Sequence, residues 1–209
     1  MSRGAANTAA RLIPPEADYD ELREAARICT ACPLYARATQ TVFGEGPVPA
    51  RLMLVGETPG DQEDRQGRPF VGPAGKLLDR CLEAAGVDRN EAYVTNVVKH
   101  FKWTERGKRR LHGKPSAGEI RACKPWYEAE TALVKPHVLV LLGATAAQAA
   151  LGPQFRVSRQ RGEFVPSNLA PFVLATVHPS SLLRGEPETR EEEIARFTAD
   201  LRKAATALR

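Results

Sequence analysis

His137-Val138-Leu139-Val140-Leu141-Leu142-Gly143 is an unbroken apolar run closed by a glycine, and Ala144 to Leu151 follows it as an alanine-rich segment. An apolar run without alternation marks a strand covered on both faces, and the sequel reads as a short helix laid against it. The same grammar recurs to either side. Arg51 to Gly56 (Arg-Leu-Met-Leu-Val-Gly) and Ala92 to Val98 are apolar strands upstream, and Phe172 to Val177 is another downstream. Helical patterns alternate with them. Asp18 caps a short helix carrying Leu22, Ala25, Ala26 and Ile28, and Pro73 or Ala74 opens one with Leu77, Leu78, Cys81, Leu82 and Ala85 on one face and Gly86 at its end. Ser116 and Glu119 form a capping box for a third, and Glu188 to Leu208 closes the chain as an amphipathic helix, acidic first and basic last. This alternation predicts an α/β fold, a three-layer α/β/α domain about a mainly parallel sheet.

The 209 residues, 43% of them hydrophobic, fit a single domain, expected over residues 18–209 behind a tail of residues 1–17 that lacks periodicity. Met1 to Ala17 shows no apolar signal-peptide core. The longest apolar run, Val138 to Gly152, is interrupted by Gly143, Thr145 and Gln148 and falls short of the ~20 residues of a membrane span. A cytoplasmic protein with no membrane partner is expected, with a monomer as the working assumption.

The formal charge of +5 is modest, but its distribution is not. Seven cations (Lys99, Lys102, Arg106, Lys108, Arg109, Arg110, Lys114) stand against one acid, Glu105, in the stretch after the second strand. Such a segment suits phosphate, and nucleic acid is the commonest polyanionic partner. It also carries His100 and His112.

In parallel sheets, ligands sit beyond the carboxyl ends of the strands, at a switch point in strand order. Three polar clusters are delivered there: Glu57 to Asp64, Asn96 to His112, and His178 to Arg184. Their convergence on one pocket is the main expectation. Glu57-Thr58-Pro59-Gly60-Asp61-Gln62-Glu63-Asp64 reads as an acidic loop, because four carboxylates beside two glycines, Gly56 and Gly60, and a proline do not suit a helix interior. Phe70, in the glycine-flanked segment Gly67 to Gly75, is either core or a stacking platform for a planar ligand. In a reducing compartment the four cysteines imply metal or burial. Cys29-Thr-Ala-Cys32 has the spacing of a metal or redox pair; Cys123 lies in the early turns of the third helix, and Cys81 fits an apolar stripe as a buried small hydrophobe.

Taken together, Gly56 to Asp64, Gly67 to Gly75, Val94-Thr95-Asn96-Val97-Val98-Lys99 and His178-Pro179-Ser180 resemble the family 4 uracil-DNA glycosylases, from about the first CxxC to the final helix. Lys99-His100-Phe101 and Lys108-Arg109-Arg110-Leu111-His112 look like the UdgX subgroup, which binds uracil in DNA and becomes covalently attached to it. Thr58 departs from the pattern, standing where glutamine is expected in UdgX and usually alanine in family 4.

The resemblance implies a pocket in which Phe70 stacks on a flipped uracil, Asn96 reads its N3–H and O4, and Gly56 and Ser180 complete the walls. An amide that donates to O4 and accepts from N3–H excludes cytosine, and flipping costs least in single strands, so single-stranded uracil-containing DNA is the expected partner. His178 is assigned to the departing uracil oxygen, and Glu57 and Asp61 to the sugar cation. Asp64 braces the loop, while Lys99, Arg109, Arg110 and Arg184 contact phosphate or the pocket rim. His112 is either one more phosphate contact or the nucleophile that captures the sugar, kept neutral by Lys108, Arg109 and Arg110. By the family pattern, a [4Fe–4S] cluster is held by Cys29, Cys32, His100 and Cys123, with zinc as the alternative metal.

Overall fold

The structure is a computed structural model describing residues 8–209. In chain order its elements are α1 (Tyr19–Arg27), β1 (Leu52–Gly56), α2 (Asp61–Gln66), α3 (Pro73–Ala84), β2 (Ala92–Asn96), β3 (Trp103–Arg106), β4 (Arg109–His112), α4 (Ala117–Val134), β5 (Val138–Leu142), α5 (Ala144–Leu151), α6 (Val157–Gln160), β6 (Phe164–Val165), β7 (Phe172–Thr176), α7 (Pro179–Arg184) and α8 (Pro187–Thr206). The sheet runs β2-β1-β5-β7-β6, parallel except for the edge strand β6, which pairs antiparallel with β7.

Alternate residues of each strand feed opposite faces. Leu52, Leu54, Val138, Val140 and Leu174 pack under α3 and α8 with Leu78, Leu82, Phe197 and Leu201. Met53, Val55, Leu139, Leu141 and Val173 meet α4 and α5 through Tyr127, Val134, Ala146 and Ala147. This is the expected three-layer domain, with each central strand covered on both sides. The capping boxes read at Asp18/Glu21 and Ser116/Glu119 are formed, and α3 ends before Gly86 at φ +79.

Three segments differ from expectation. Of the expected tail, residues 1–7 lie outside the described residues, while Ala9–Leu12 forms a 3-10 turn whose Ala9 is buried with α1 and the amino half of α4, so ordered packing begins before Asp18. The acidic segment is not a loop throughout: Asp61–Gln66 is a helix with Asp61, Glu63 and Asp64 in its first turn, where the helix dipole favours carboxylates. The basic segment is an antiparallel hairpin, β3 against β4, in which Trp103 faces His112 and Gly107, at φ +59, supplies the turn.

Phe70 has a left-handed backbone, φ +56, and the first turn of α3 lies directly on its carbonyl. A Cβ at Gly75 would overlap the Phe70 carbonyl oxygen. Gly75→Ala is therefore expected to destabilise the fold by about 1–3 kcal/mol, read as a lowered Tm, and to lower binding of any ligand that stacks on Phe70.

Candidate active site

The order β2-β1-β5 reverses direction at β1, and a cavity of about 380 Å³ opens beyond the carboxyl ends of these strands. Its walls bring together Asp61, Phe70, Asn96, His112, His178, Ser180 and Arg184, members of all three polar clusters and of the Phe70 loop.

Asn96 closes β2 opposite Gly56 at the end of β1. It is 3% exposed, and its Oδ1 is buried with no hydrogen-bond partner. A Cβ at Gly56 would strike that Oδ1 and come within 2.7 Å of the Phe70 ring, so glycine keeps open the space between amide and ring. A buried acceptor without a donor costs stability and points to a ligand that supplies one.

Phe70 is stacked against His178, ring centroids 6.0 Å apart at 28°. His178 Nδ1 accepts from the Ser180 backbone N–H at 3.2 Å and lies 2.8 Å from Ser180 Oγ. Burial, helped by His112 and Arg184, lowers its pKa to about 4. The ring is thus neutral at physiological pH, and with Nδ1 accepting, its proton is on Nε2, available to a ligand as a donor.

The carboxylates separate into distinct tasks. Glu57, half-buried and next in sequence to the lining residue Thr58, does not itself line the cavity and accepts from Thr145 Oγ1 at the start of α5. Glu63, which the sequence reading passed over, accepts from the Gly60 N–H at 3.1 Å and the Gly72 N–H at 2.7 Å, tying the loop before α2 to the loop before α3. The spacing Gly60-x-x-Glu63 is that of a capping box and could have marked it; Thr145 had no local signal. Asp64 is fully buried and braces the loop as expected, accepting from Thr39 N at 2.9 Å, Thr39 Oγ1 at 2.6 Å and Arg110 at 2.7 Å.

Asp61 lines the cavity but is engaged with Arg65 at 2.9 Å and Arg110 at 2.5 Å. Partial burial opposes its ionisation, and the two guanidinium bonds outweigh that and hold its pKa below the usual range. Arg110 is consequently not free for phosphate: it bridges Asp61 and Asp64 and sits over the rings of Phe101 and Trp103. This latch fastens the hairpin to α2. Arg110→Met is expected to release it, lowering reactions that depend on His112 by about tenfold while leaving Asn96 and Phe70 in place; ligand-binding and adduct assays on the same preparation separate the two.

His112 stands at the end of β4 on the cavity wall, its ring 6.1 Å from Phe101. Its pKa is lowered, chiefly by desolvation at the cavity and further by Arg184, against the opposing charges of Glu57 and Glu63. The expected cause, the neighbouring Lys108, Arg109 and Arg110, is not the operative one. Arg110 is neutralised by its two aspartates, while Lys108 and Arg109 project outward on the exposed hairpin.

Lys99 also departs from expectation. It is fully buried, and its Nζ donates to Thr95 Oγ1 and the Asn96 carbonyl, each at 2.6 Å, and pairs with Glu130. It cannot reach a ligand.

Cys29, Cys32 and Cys123 are buried in one apolar cluster among α1, the turn Pro33–Ala36 and α4, whereas Cys81 lies across the sheet in the α3 core. Trp126 Nε1 donates to Cys29 Sγ at 3.3 Å and the Lys99 N–H to Cys123 Sγ at 3.2 Å. His100 is 3% exposed; its Nε2 is 3.0 Å from Thr41 Oγ1 and its Nδ1 is buried without a partner. Thr58, off the family pattern, donates to the His100 carbonyl at 2.9 Å. Among the described residues no three His, Cys, Asp or Glu side chains converge on one point as a single metal ion requires. An orphaned imidazole nitrogen, three buried thiols and two N–H donors aimed at sulfur are what this part of the fold offers.

Residues 43–202 match the uracil DNA glycosylase superfamily. The type-4 uracil-DNA glycosylase of Thermotoga maritima is 37% identical over 188 residues, covering 89% of this chain and 92% of that protein. That of Pyrobaculum aerophilum is 34% identical, covering 84% and 89%, and a type-5 uracil-DNA glycosylase of Thermus thermophilus is 33% identical over 69% and 68%. With a cavity at the switch point, an open-ended amide facing an aromatic ring, and this similarity along nearly its whole length, the chain belongs to the uracil DNA glycosylase superfamily and to its type-4 family.

Proposed function

We propose that the protein excises uracil from DNA, with single strands preferred, and that His112 then captures the sugar in a covalent bond, as in the UdgX subgroup. The observation that carries uracil recognition is the buried, unpartnered Asn96 Oδ1 facing Phe70 across a gap kept open by Gly56. Uracil N3–H satisfies that acceptor; cytosine N3, which carries no hydrogen, leaves it orphaned. Phe70 supplies a flat face for the base.

Cleavage breaks the bond between C1′ and N1, and the electron pair leaves with uracil. The neutral His178 ring, donating from Nε2, stabilises the developing charge on the uracil oxygen. Glu57, beside the cavity, opposes the positive charge that grows on the sugar. Asp61 is better understood as an anchor for Arg110 than as a second catalytic carboxylate. Capture requires the lone pair of a neutral His112 nitrogen to form the new bond to C1′, the proton on the other ring nitrogen passing to solvent. Arg109, Lys108 and Arg184 would meet phosphates, and the protein would act as a monomer.

Cys29, Cys32, Cys123 and the unpartnered Nδ1 of His100 would hold a [4Fe–4S] cluster, whose contribution is a covalent tie between α1, α4 and the segment leading into the hairpin. A brown protein with about four irons per chain is expected; a colourless protein containing zinc instead sinks that assignment.

The capture step carries a pH signature. A lowered pKa keeps more of the His112 imidazole neutral at any given pH, so adduct yield should be at its plateau at pH 7 and decline only as the pH falls below the 6.5 usual for histidine. His178, with a pKa near 4, holds its neutral form throughout that range, so uracil release should outlast capture as the pH is lowered. The deciding experiment mixes the protein with a single-stranded oligonucleotide bearing one uracil. One equivalent of freed uracil per protein, together with a band that survives boiling in detergent, supports both steps. Continued release beyond one equivalent with no such band identifies a turnover glycosylase, and salt-reversible binding without release identifies a binding module.

A further inference from the structure

The Lys99–Glu130 pair is sealed from water and has no part in the chemistry described so far. Stability alone is a poor account of it, because a well-packed apolar pair of similar volume generally serves a core as well or better. Its bonds are specific. Glu130, on α4, accepts from the Gly44 N–H, the Tyr93 hydroxyl and the Thr95 hydroxyl, each at 2.9 Å, and from Lys99. The three ammonium protons of Lys99 are matched by three acceptors: Glu130, Thr95 Oγ1 and the carbonyl of Asn96.

The Asn96 carbonyl lies at the end of β2. The N–H of the same peptide unit, that of Val97, donates to the Gly56 carbonyl at 3.0 Å, so the end of β1 holds one side of the unit and the Lys99 ammonium holds the other. A cation from three residues downstream thus completes the hold on the backbone from which the Asn96 amide projects into the cavity. The same residue reaches the sulfur side of the fold, its N–H donating to Cys123 Sγ and its carbonyl accepting from Val42 N at 2.8 Å.

We infer that Lys99 and Glu130 are positioning residues that set base discrimination by clamping Asn96. This rests on the reading of Asn96 as the group that recognises uracil. Directional recognition by one amide depends on its angle to the N3–H as much as on its presence, and a backbone free to rock would blur it.

The test is the double variant Lys99→Met/Glu130→Gln, which removes both charges together and leaves no unpaired buried ion. Excision of uracil and of N3-methyluracil, which lacks the N3–H, is measured in the same single-stranded DNA. Misfolded protein lowers both rates equally and leaves their ratio alone, whereas a loosened Asn96 lowers the ratio. Under single-turnover conditions, the ratio of the two second-order rate constants for excision is expected to fall about tenfold. An unchanged ratio in a variant of wild-type Tm overturns the inference. If the double variant does not fold, Glu130→Gln reads the same ratio, a smaller fall being expected, and an unchanged value overturns the inference equally. Wild-type protein that released no uracil would instead overturn the functional reading, and this inference with it.

Discussion

Replacing His112 by serine is expected to remove the detergent-resistant protein–DNA band entirely while uracil release continues. His112 is one of two histidines on the cavity wall, and the other, His178, is occupied at Nδ1 by Ser180. Of the two, His112 is the one carried on the hairpin, at the end of β4, and the charge of Glu57 bears on its imidazole. Serine is smaller and far less nucleophilic, and the space it leaves admits water, so the sugar cation should be hydrolysed and the enzyme should turn over. A His112→Ser protein that still formed the adduct would place the bond on another residue. The fold should not suffer, because His112 ends a two-stranded hairpin, β3–β4, that stands apart from the main sheet.

Asn96→Leu is expected to lower the single-turnover rate constant for uracil excision by roughly 10²–10³-fold, with Tm unchanged or raised. The opposite signs are the point of the experiment. The wild-type side chain buries an acceptor that none of the described residues satisfies, so a leucine, which shares its γ-branched shape, relieves a desolvation penalty as it removes the uracil contact. Parallel loss of activity and stability would mark Asn96 as a structural residue and undermine the recognition scheme.

Much of this was legible along the chain. Buried strands without alternation announced a parallel sheet, and their glycine and asparagine ends announced where a ligand would sit. Capping boxes were equally visible, since Asp18/Glu21 and Ser116/Glu119 bond only to groups three residues away. The errors share a cause. Lys99 and Arg110 looked like phosphate contacts because both are cations in a basic segment, but their partners lie on other elements: Glu130 on α4, Asp61 and Asp64 on α2. Residue type fixes a charge, not what neutralises it. The helix at Asp61–Gln66 was missed because its proline and glycine precede the first turn rather than interrupt it.

The sequence by itself determined the order of strands and helices, the covering of the sheet on both faces, and the three polar segments that would meet beyond it, because hydrophobic period and capping are local properties. Tertiary structure alone decided which charges remain available to a ligand. It buried Lys99 beneath Asn96, spent Arg110 on latching a hairpin, and left Asn96 Oδ1 and His100 Nδ1 without partners. A charge or an amide becomes functional or structural according to what desolvates it and what it meets in space, and those neighbours are brought together only by folding.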